Sequence, residues 1–294
     1  MLVQDAPATE LANRLPDATR LGLAELQVSD LSRSVDFYRE AVGLVALDRS
    51  AGRAELGGEG GDPVLRLVEK RGAAPKPRTA VGLFHIAVLL PERRDLARAF
   101  ARLASNGLLT GASDHLVSEA LYLDDPDGLG VEIYRDRPRN DWPFENGRLK
   151  MASDRIDAAG LMALAEAEGD LDGPAPAGTR LGHVHLQVGD LDRAGAFWTG
   201  AVGLDLVTTY PGALFMSAGG YHHHVAANVW SSRGAGVPPE DTARLTHFEM
   251  LLPSEDDVAE AARRIEASGG AVTRRDGGVL ASDPWGSGVL LRVA

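Results

Sequence analysis

Apolar and polar residues alternate through Leu181-Gly182-His183-Val184-His185-Leu186-Gln187-Val188, the two-residue period of a strand, which places His183 and His185 on one face. An aspartate follows, and Leu191–Val202 then carries apolar residues at helical spacing. Asp190 therefore reads as the N-cap, its carboxylate accepting an orphan amide hydrogen of the first turn, with Gly203 where the helix ends. Asp30, Leu31–Val42 and Gly43 repeat this arrangement earlier in the chain. Strand-like runs come next: 44–48, 53–56 and 64–68 after the first helix, and 204–208, 213–217 and 223–230 after the later one.

The two stretches are a repeat. Leu21-Gly22, Leu26-Gln27-Val28, Asp30-Leu31, Phe37-Tyr38 and Ala41-Val42-Gly43-Leu44 recur at a constant offset as Leu181-Gly182, Leu186-Gln187-Val188, Asp190-Leu191, Phe197-Trp198 and Ala201-Val202-Gly203-Leu204. Leu83-Phe84-His85 matches Leu245-Thr246-His247, and Asp125-Pro126-Asp127-Gly128 matches Asp283-Pro284-Trp285-Gly286. Within each copy the plan appears twice. Residues 84–90, 92–106, 119–123 and 130–134 read as strand, helix, strand and strand, and 248–252, 255–268 and 288–293 repeat them. Each copy is thus a pair of βαβββ units, giving an α+β chain of four modules. The expected organisation is an N-terminal domain over 18–138, a linker with a short helix (157–168) over 139–178, and a C-terminal domain over 179–294. The flexible end of that linker is Gly169–Gly178.

A length of 294 residues suits two domains of roughly 150 residues each. There is no cysteine, which excludes disulfides, thiolate metal sites and cysteine nucleophiles. The net charge of −12 repels nucleic-acid phosphates and anionic lipid, so neither nucleic acid nor membrane is an expected partner, and a small neutral ligand fits better. No apolar run reaches the roughly 20 residues that cross a bilayer. The first residues lack a basic start followed by an apolar stretch, and the cytoplasm is the expected location.

A strand, an Asp-Leu cap, a helix with Phe-Tyr near its end, a glycine turn and a closing Asp-Pro-Asp-Gly before a strand together resemble the vicinal oxygen chelate superfamily of glyoxalases, bleomycin-resistance proteins and extradiol dioxygenases. The stretch from Ser113 to Pro138, with Gly220-Tyr221-His222-His223-His224 and Asn228-Val229-Trp230, is similar to the two-domain, CatE-type catechol 2,3-dioxygenase group. The resemblance covers Arg20 to Ala294. It implies that βαβββ modules pair into two half-open antiparallel barrel domains around a cavity. Metal ligands would come from the first strand of each module and the last strand of one. It further implies two histidines and a carboxylate on one face of a divalent metal, with positions open for a catechol-like aromatic substrate and dioxygen.

Mapped within each copy, the implied ligand set is incomplete. The first copy offers His85 and Glu132, but its first-strand position is Leu23; Glu25, two residues on and on the same face, could replace it. Such a set would favour Fe or Mn. The second copy offers His183 and His247, but the carboxylate position is Leu290; His224 could complete an all-imidazole site suited to Zn or Ni as well. His185 shares the face of His183, and three consecutive histidines on a strand would let only His222 and His224 point the same way. His115 and Tyr122 resemble the family's acid–base histidine and active-site tyrosine. Each of these groups also has a bland reading: Glu25 could be salt-bridged to an arginine in a hollow without metal, His115 could cap a loop, and Tyr122 could be a core aromatic. Three functions follow: a ring-cleaving dioxygenase, a glyoxalase-like isomerase or lyase, and a metal-free binder of an aromatic compound. A homodimer is compatible with each.

Overall fold

A computed structural model describes residues 14–169, 171, 173–275 and 277–294. The N-terminal stretch read for a leader and two positions of the 169–178 linker lie outside the described residues. The first module is β1 (Arg20–Val28), α1 (Leu31–Phe37), β2 (Val45–Ser50), β3 (Arg53–Gly57) and β4 (Pro63–Glu69); the second is β5 (Gly82–Leu89), α2 (Arg93–Ser105), β6 (Gly111–Asp114), β7 (Ser118–Asp124) and β8 (Gly130–Asp136). A small hairpin of β9 (Phe144–Glu145) and β10 (Arg148–Leu149) and the helix α3 (Ala158–Glu168) lead to the second copy. The third module is β11 (Arg180–Gln187), α4 (Leu191–Gly195), β12 (Asp205–Tyr210), β13 (Ala213–Ser217) and β14 (Val225–Asn228); the fourth is β15 (Arg244–Leu252), α5 (Glu255–Ala267), β16 (Val272–Arg275), β17 (Gly278–Ser282) and β18 (Gly288–Val293).

The expected caps form. Asp30 accepts from the Arg33 amide at 3.0 Å and Asp190 from the Arg193 amide at 2.9 Å. Both helices finish in a π-helical turn, Tyr38–Val42 and Ala196–Val202, closed by left-handed Gly43 (φ 90°) and Gly203 (φ 99°), a conformation that costs a side chain-bearing residue free energy. Tyr38 and Trp198 in these turns are fully buried. Strands β6, β16 and β17 have no counterpart among the sequence expectations; each is short, and in β6 Gly111, Ala112 and Asp114 are residue types depleted in strands.

The strand orders are β2-β3-β4-β1-β15-β18-β17-β16 and β6-β7-β8-β5-β11-β14-β13-β12. The first module therefore shares a sheet with the fourth, and the second with the third, each pair meeting antiparallel through its first strands. This corrects the expectation that each copy closes its own barrel: the boundaries at 138 and 179 separate the copies but not the sheets. The repeat could not decide this, because β1, β5, β11 and β15 present equivalent edges. The arrangement is held by contacts between modules of one copy, since Arg102 on α2 donates to the carbonyls of Ala41 and Val42 at 3.2 and 3.1 Å. One apolar cluster, including Leu26, Leu65, Ile86, Leu96, Leu186 and Phe248, joins both sheets and the helices. The concave faces are left for other chemistry. Among the described residues no helix is long and apolar enough to cross a membrane.

Candidate metal centre

On the concave face of the second–third sheet, Ala87 lies in register between Glu132 on β8 and His183 on β11. His85, two residues earlier on β5, shares its face. The alanine leaves room for its larger neighbours to converge. His85 Nε2 lies 3.0 Å and His183 Nε2 3.2 Å from the same oxygen, Oε2 of Glu132. All three side chains are nearly excluded from solvent, and one donor atom from each lies within 4.8 Å of the others. His85 and Glu132 come from the first copy and His183 from the second, so the exchange of modules assembles a set that neither copy holds alone.

Burial by itself would raise the Glu132 carboxyl, but the His183 and His85 imidazoles outweigh it and hold the carboxyl well below the usual carboxylate range. Burial lowers His183 to about 4, keeping the ring neutral at pH 7. An ionised carboxylate and neutral imidazoles are the states that donate lone pairs to a metal. The donor set passes a second test: His85 Nε2, buried and 3.0 Å from the Glu132 carboxylate, makes no well-directed hydrogen bond, which leaves it available as a ligand atom. A divalent ion held by His85, His183 and Glu132 would use the His85 lone pair.

His85 and Glu132 of this group, though not His183, line a cavity of about 570 Å³. Two bulges interrupt the β5–β11 pairing, and the one beside His85 leaves Phe84 unpaired, turning its ring into the cavity wall. His185, opposite His85 in register, lines the same space. The Trp230 amide donates to Asn228 Oδ1 at 3.2 Å, so the Asn228 amide nitrogen is the donor to His185 Nε2 at 3.0 Å, and His185 carries its proton on Nδ1.

The three consecutive histidines depart from the expected strand. β14 starts at Val225, so His222–His224 lie on irregular backbone and alternation does not govern them. His222 and His223 both reach His183, whereas His224 turns away, its Nδ1 accepting from the Ala218 amide at 3.2 Å. His222 Nε2 lies 2.9 Å from Asp136 Oδ1, and its Nδ1 lies 2.7 Å from Nδ1 of His223. With the carboxylate accepting the Nε2 proton, His222 must accept through Nδ1. His223 then donates from Nδ1 and keeps a bare Nε2. His223 lines the cavity, and burial holds its pKa well below the ordinary value. Tyr134, its ring tilted against that of His183 at 4.8 Å, donates to Tyr221 at 2.7 Å, and Tyr221 donates to the other oxygen of Asp136 at 2.9 Å. This crossing depends on Gly182, where a Cβ would lie 1.7 Å from the Tyr134 hydroxyl.

The equivalent hollow of the first–fourth sheet is built differently. The triad positions are Leu23, His247 and Leu290, all buried. Glu25 does not gather ligands: its carboxylate accepts from Thr246 at 2.7 Å and pairs with Arg66 at 3.5 Å, and His247 Nδ1 lies 3.6 Å away. Arg66 also binds Glu55 at 2.9 Å, and Arg292 binds Glu249 at 2.8 Å. The all-imidazole site of His183, His224 and His247 is therefore corrected, since His247 belongs to the other sheet, and Glu25 is corrected as a partner of His85 for the same reason.

The glyoxalase/bleomycin resistance protein/dioxygenase superfamily model matches residues 20–133 and 180–288. The chain belongs to this superfamily. It is 40% identical over 270 residues to the catechol-2,3-dioxygenase of Bacillus subtilis (strain 168), covering 90% of this chain and 94% of that protein. Among solved structures, a dioxygenase candidate from Bacillus subtilis superposes with a TM-score of 0.63 at 16% identity, over 95% of this chain and 86% of that one. Glyoxalase I from Zea mays superposes at 0.55 and 17% identity, over 94% and 92%. These two likenesses concern the fold.

In this superfamily member His115 and Tyr122 form a pair. His115 Nδ1 lies 2.7 Å from the Ala152 carbonyl, which can only accept, so Nε2 accepts from the Tyr122 hydroxyl at 2.6 Å. Both line the cavity. Burial and the Glu132 charge push the Tyr122 phenol well above its ordinary pKa. Asp136, His223 and Tyr134 escaped the sequence reading. Glu132, Tyr134 and Asp136 alternate along β8, so one signal, a shared strand face, was available for all three.

Proposed function

We propose that the protein is an extradiol ring-cleaving dioxygenase, an oxidoreductase that opens a catechol-like aromatic with dioxygen. His85, His183 and Glu132 would hold the divalent metal, with Fe or Mn favoured over Zn or Ni because two histidines and one carboxylate with open positions suit a metal that works with dioxygen. The reading rests on the convergence of both imidazoles on one buried carboxylate oxygen, at 3.0 and 3.2 Å. The 40% identity to a catechol-2,3-dioxygenase supports it. A metal-free binder drew its support from incomplete ligand sets, and the meeting of the three donors across copies removes that support.

When bound, the metal supplies adjacent open positions for the two vicinal oxygens and dioxygen. The chain's own residues handle position and protons. His223, its Nδ1 committed to His222, offers Nε2 to receive a hydroxyl proton of the catechol, and Asp136 behind His222 fixes that tautomer. Tyr122, anchored by His115, presents its phenol oxygen to the same cavity. The C–C bond next to the diol breaks, both atoms of dioxygen enter the product, and the borrowed proton returns. A cytoplasmic setting belongs to the same proposal.

The test is anaerobic loading with Fe(II), then oxygen uptake and absorbance with a panel of catechols. Yellow product with one dioxygen consumed per ring is expected. Stoichiometric iron with no oxygen consumption on any catechol would overturn the proposal.

A further inference from the structure

The cavity is far larger than a catechol, whose eight heavy atoms would occupy a minor part of about 570 Å³; cavities of roughly 300–1,000 Å³ enclose most of a drug-sized ligand. The spare volume has a definite lining. From His85 the rings follow one another outward: His85 to His185 at 4.9 Å, His185 to Phe215 at 5.9 Å and to Trp230 at 5.5 Å, with Phe84 closing on Trp230 at 5.6 Å. Trp230 is pinned by its indole N–H to the Pro211 carbonyl at 2.8 Å yet is 48% exposed, and Tyr210 beside it is 55% exposed. Large aromatic surface is thus held open on one side of the metal triad. Phe84 owes its place there to the bulge in β5.

Charge narrows the choice. Among the described residues lining the cavity the only Lys or Arg is Arg78, which lies at the rim and is paired with Asp124 at 2.7 Å. The other acid, Glu132, is committed to the two histidines. A substrate carboxylate would lose water without gaining a cation, whereas an apolar ring would lose water against aromatic faces.

Resting on the dioxygenase reading above, we propose that the substrates are neutral catechols bearing a large apolar or aromatic substituent, which packs against the wall of Phe84, Phe215 and Trp230. Trp230 is then a specificity-determining residue. Full burial of a phenyl group corresponds to roughly 10- to 100-fold in affinity.

The experiment titrates the iron-loaded protein under nitrogen by calorimetry with catechol, 3- and 4-phenylcatechol and 3,4-dihydroxybenzoate, and then measures oxygen uptake with each. At least one phenylcatechol is expected to bind 10-fold or more tighter than catechol, and dihydroxybenzoate 10-fold or more weaker. Trp230→Ala is expected to cut the phenyl preference at least 10-fold, with Trp230→Phe retaining most of it as a control for folding. Equal affinities, tightest binding of the carboxylate, or a phenyl preference unaltered in Trp230→Ala would overturn the inference while leaving ring cleavage intact. Absence of oxygen uptake with every catechol would instead overturn the dioxygenase reading on which it rests.

Discussion

Replacing Glu132 by glutamine separates metal binding from folding. Glu132 is buried, and its oxygen is shared by His85 and His183 at 3.0 and 3.2 Å. Glutamine keeps the shape, can set either its amide oxygen or its NH2 at the position both imidazoles face, and removes a charge that is costly to bury. The metal-free variant should therefore melt within about 1 kcal/mol of the parent. The metal-bound forms should part. Changes one step removed from a metal already cost roughly 10- to 100-fold in affinity, and loss of a direct carboxylate donor should cost more. At a free metal concentration 100-fold above the dissociation constant, binding stabilises the parent by about 2.7 kcal/mol. For a chain of this size that is about 5 °C or more in Tm. The assay is thermal unfolding with and without Mn(II), plus elemental analysis after desalting. The expected result is about one equivalent and the full shift in the parent, and under a tenth of an equivalent with no shift in Glu132→Gln. A variant that keeps the parent's stoichiometry and shift would refute the assignment of Glu132 as a ligand.

Tyr122→Phe should leave metal content unchanged and lower kcat by about 100-fold, within the usual range for one proton-handling group; an unchanged kcat would remove Tyr122 from the reaction. Gly182→Ala forces Tyr134 away from Tyr221, because the new Cβ would lie 1.7 Å from its hydroxyl. A loss of about 1–3 kcal/mol in urea unfolding is expected, together with weaker metal binding through the tilted His183 ring. Lys76, buried with its ammonium on Gln187 Oε1 at 2.8 Å, is lowered by burial from 10.5 to about 8. Between these values the folded chain holds fewer protons than the unfolded one, so this group makes stability rise with pH across that window, by at most about 3 kcal/mol. Urea midpoints at pH 7.5 and 10 should show the rise in the parent and lose it in Lys76→Met; an identical rise in both would locate it elsewhere.

Much of the module was legible because its signals are local. Asp30 and Asp190 cap the helices that their spacing predicts, and the period-two pattern of Leu181–Val188 gives β11 to within a residue. His85, Glu132 and His183 were each visible as strand residues on a face. Their meeting was not, because it depends on which strand edge each module chooses, and four equivalent edges satisfy the same local pattern. His223 is obscured for another reason: strand alternation points to His224, but the backbone of these residues is irregular, and His223 is the histidine that faces the cavity. Asp136 and Tyr134 act through Tyr221 and His222, residues nearly ninety positions away, and no window of sequence contains both ends of such a contact.

The distribution of the two leucines nevertheless carried the pairing in latent form. Counted by copy, Leu23 and Leu290 look like one defect in each half, leaving two impaired sites. Counted by sheet, they fall together in the first–fourth hollow, and the second–third hollow has all three donors. A hollow holding a single imidazole gains little from keeping its remaining polar groups free. In the first–fourth sheet those groups bind one another instead: Glu25 with Thr246 and Arg66, Arg66 with Glu55, Glu249 with Arg292. In the second–third hollow, by contrast, His183 Nδ1 stays buried without a hydrogen bond, at a cost of about 1–3 kcal/mol, and His85 Nε2 faces only the Glu132 carboxylate, at 3.0 Å. Two hollows with the same ancestry of strands thus differ in whether their polar groups are internally satisfied. The one that is not is the one whose geometry fits a divalent ion.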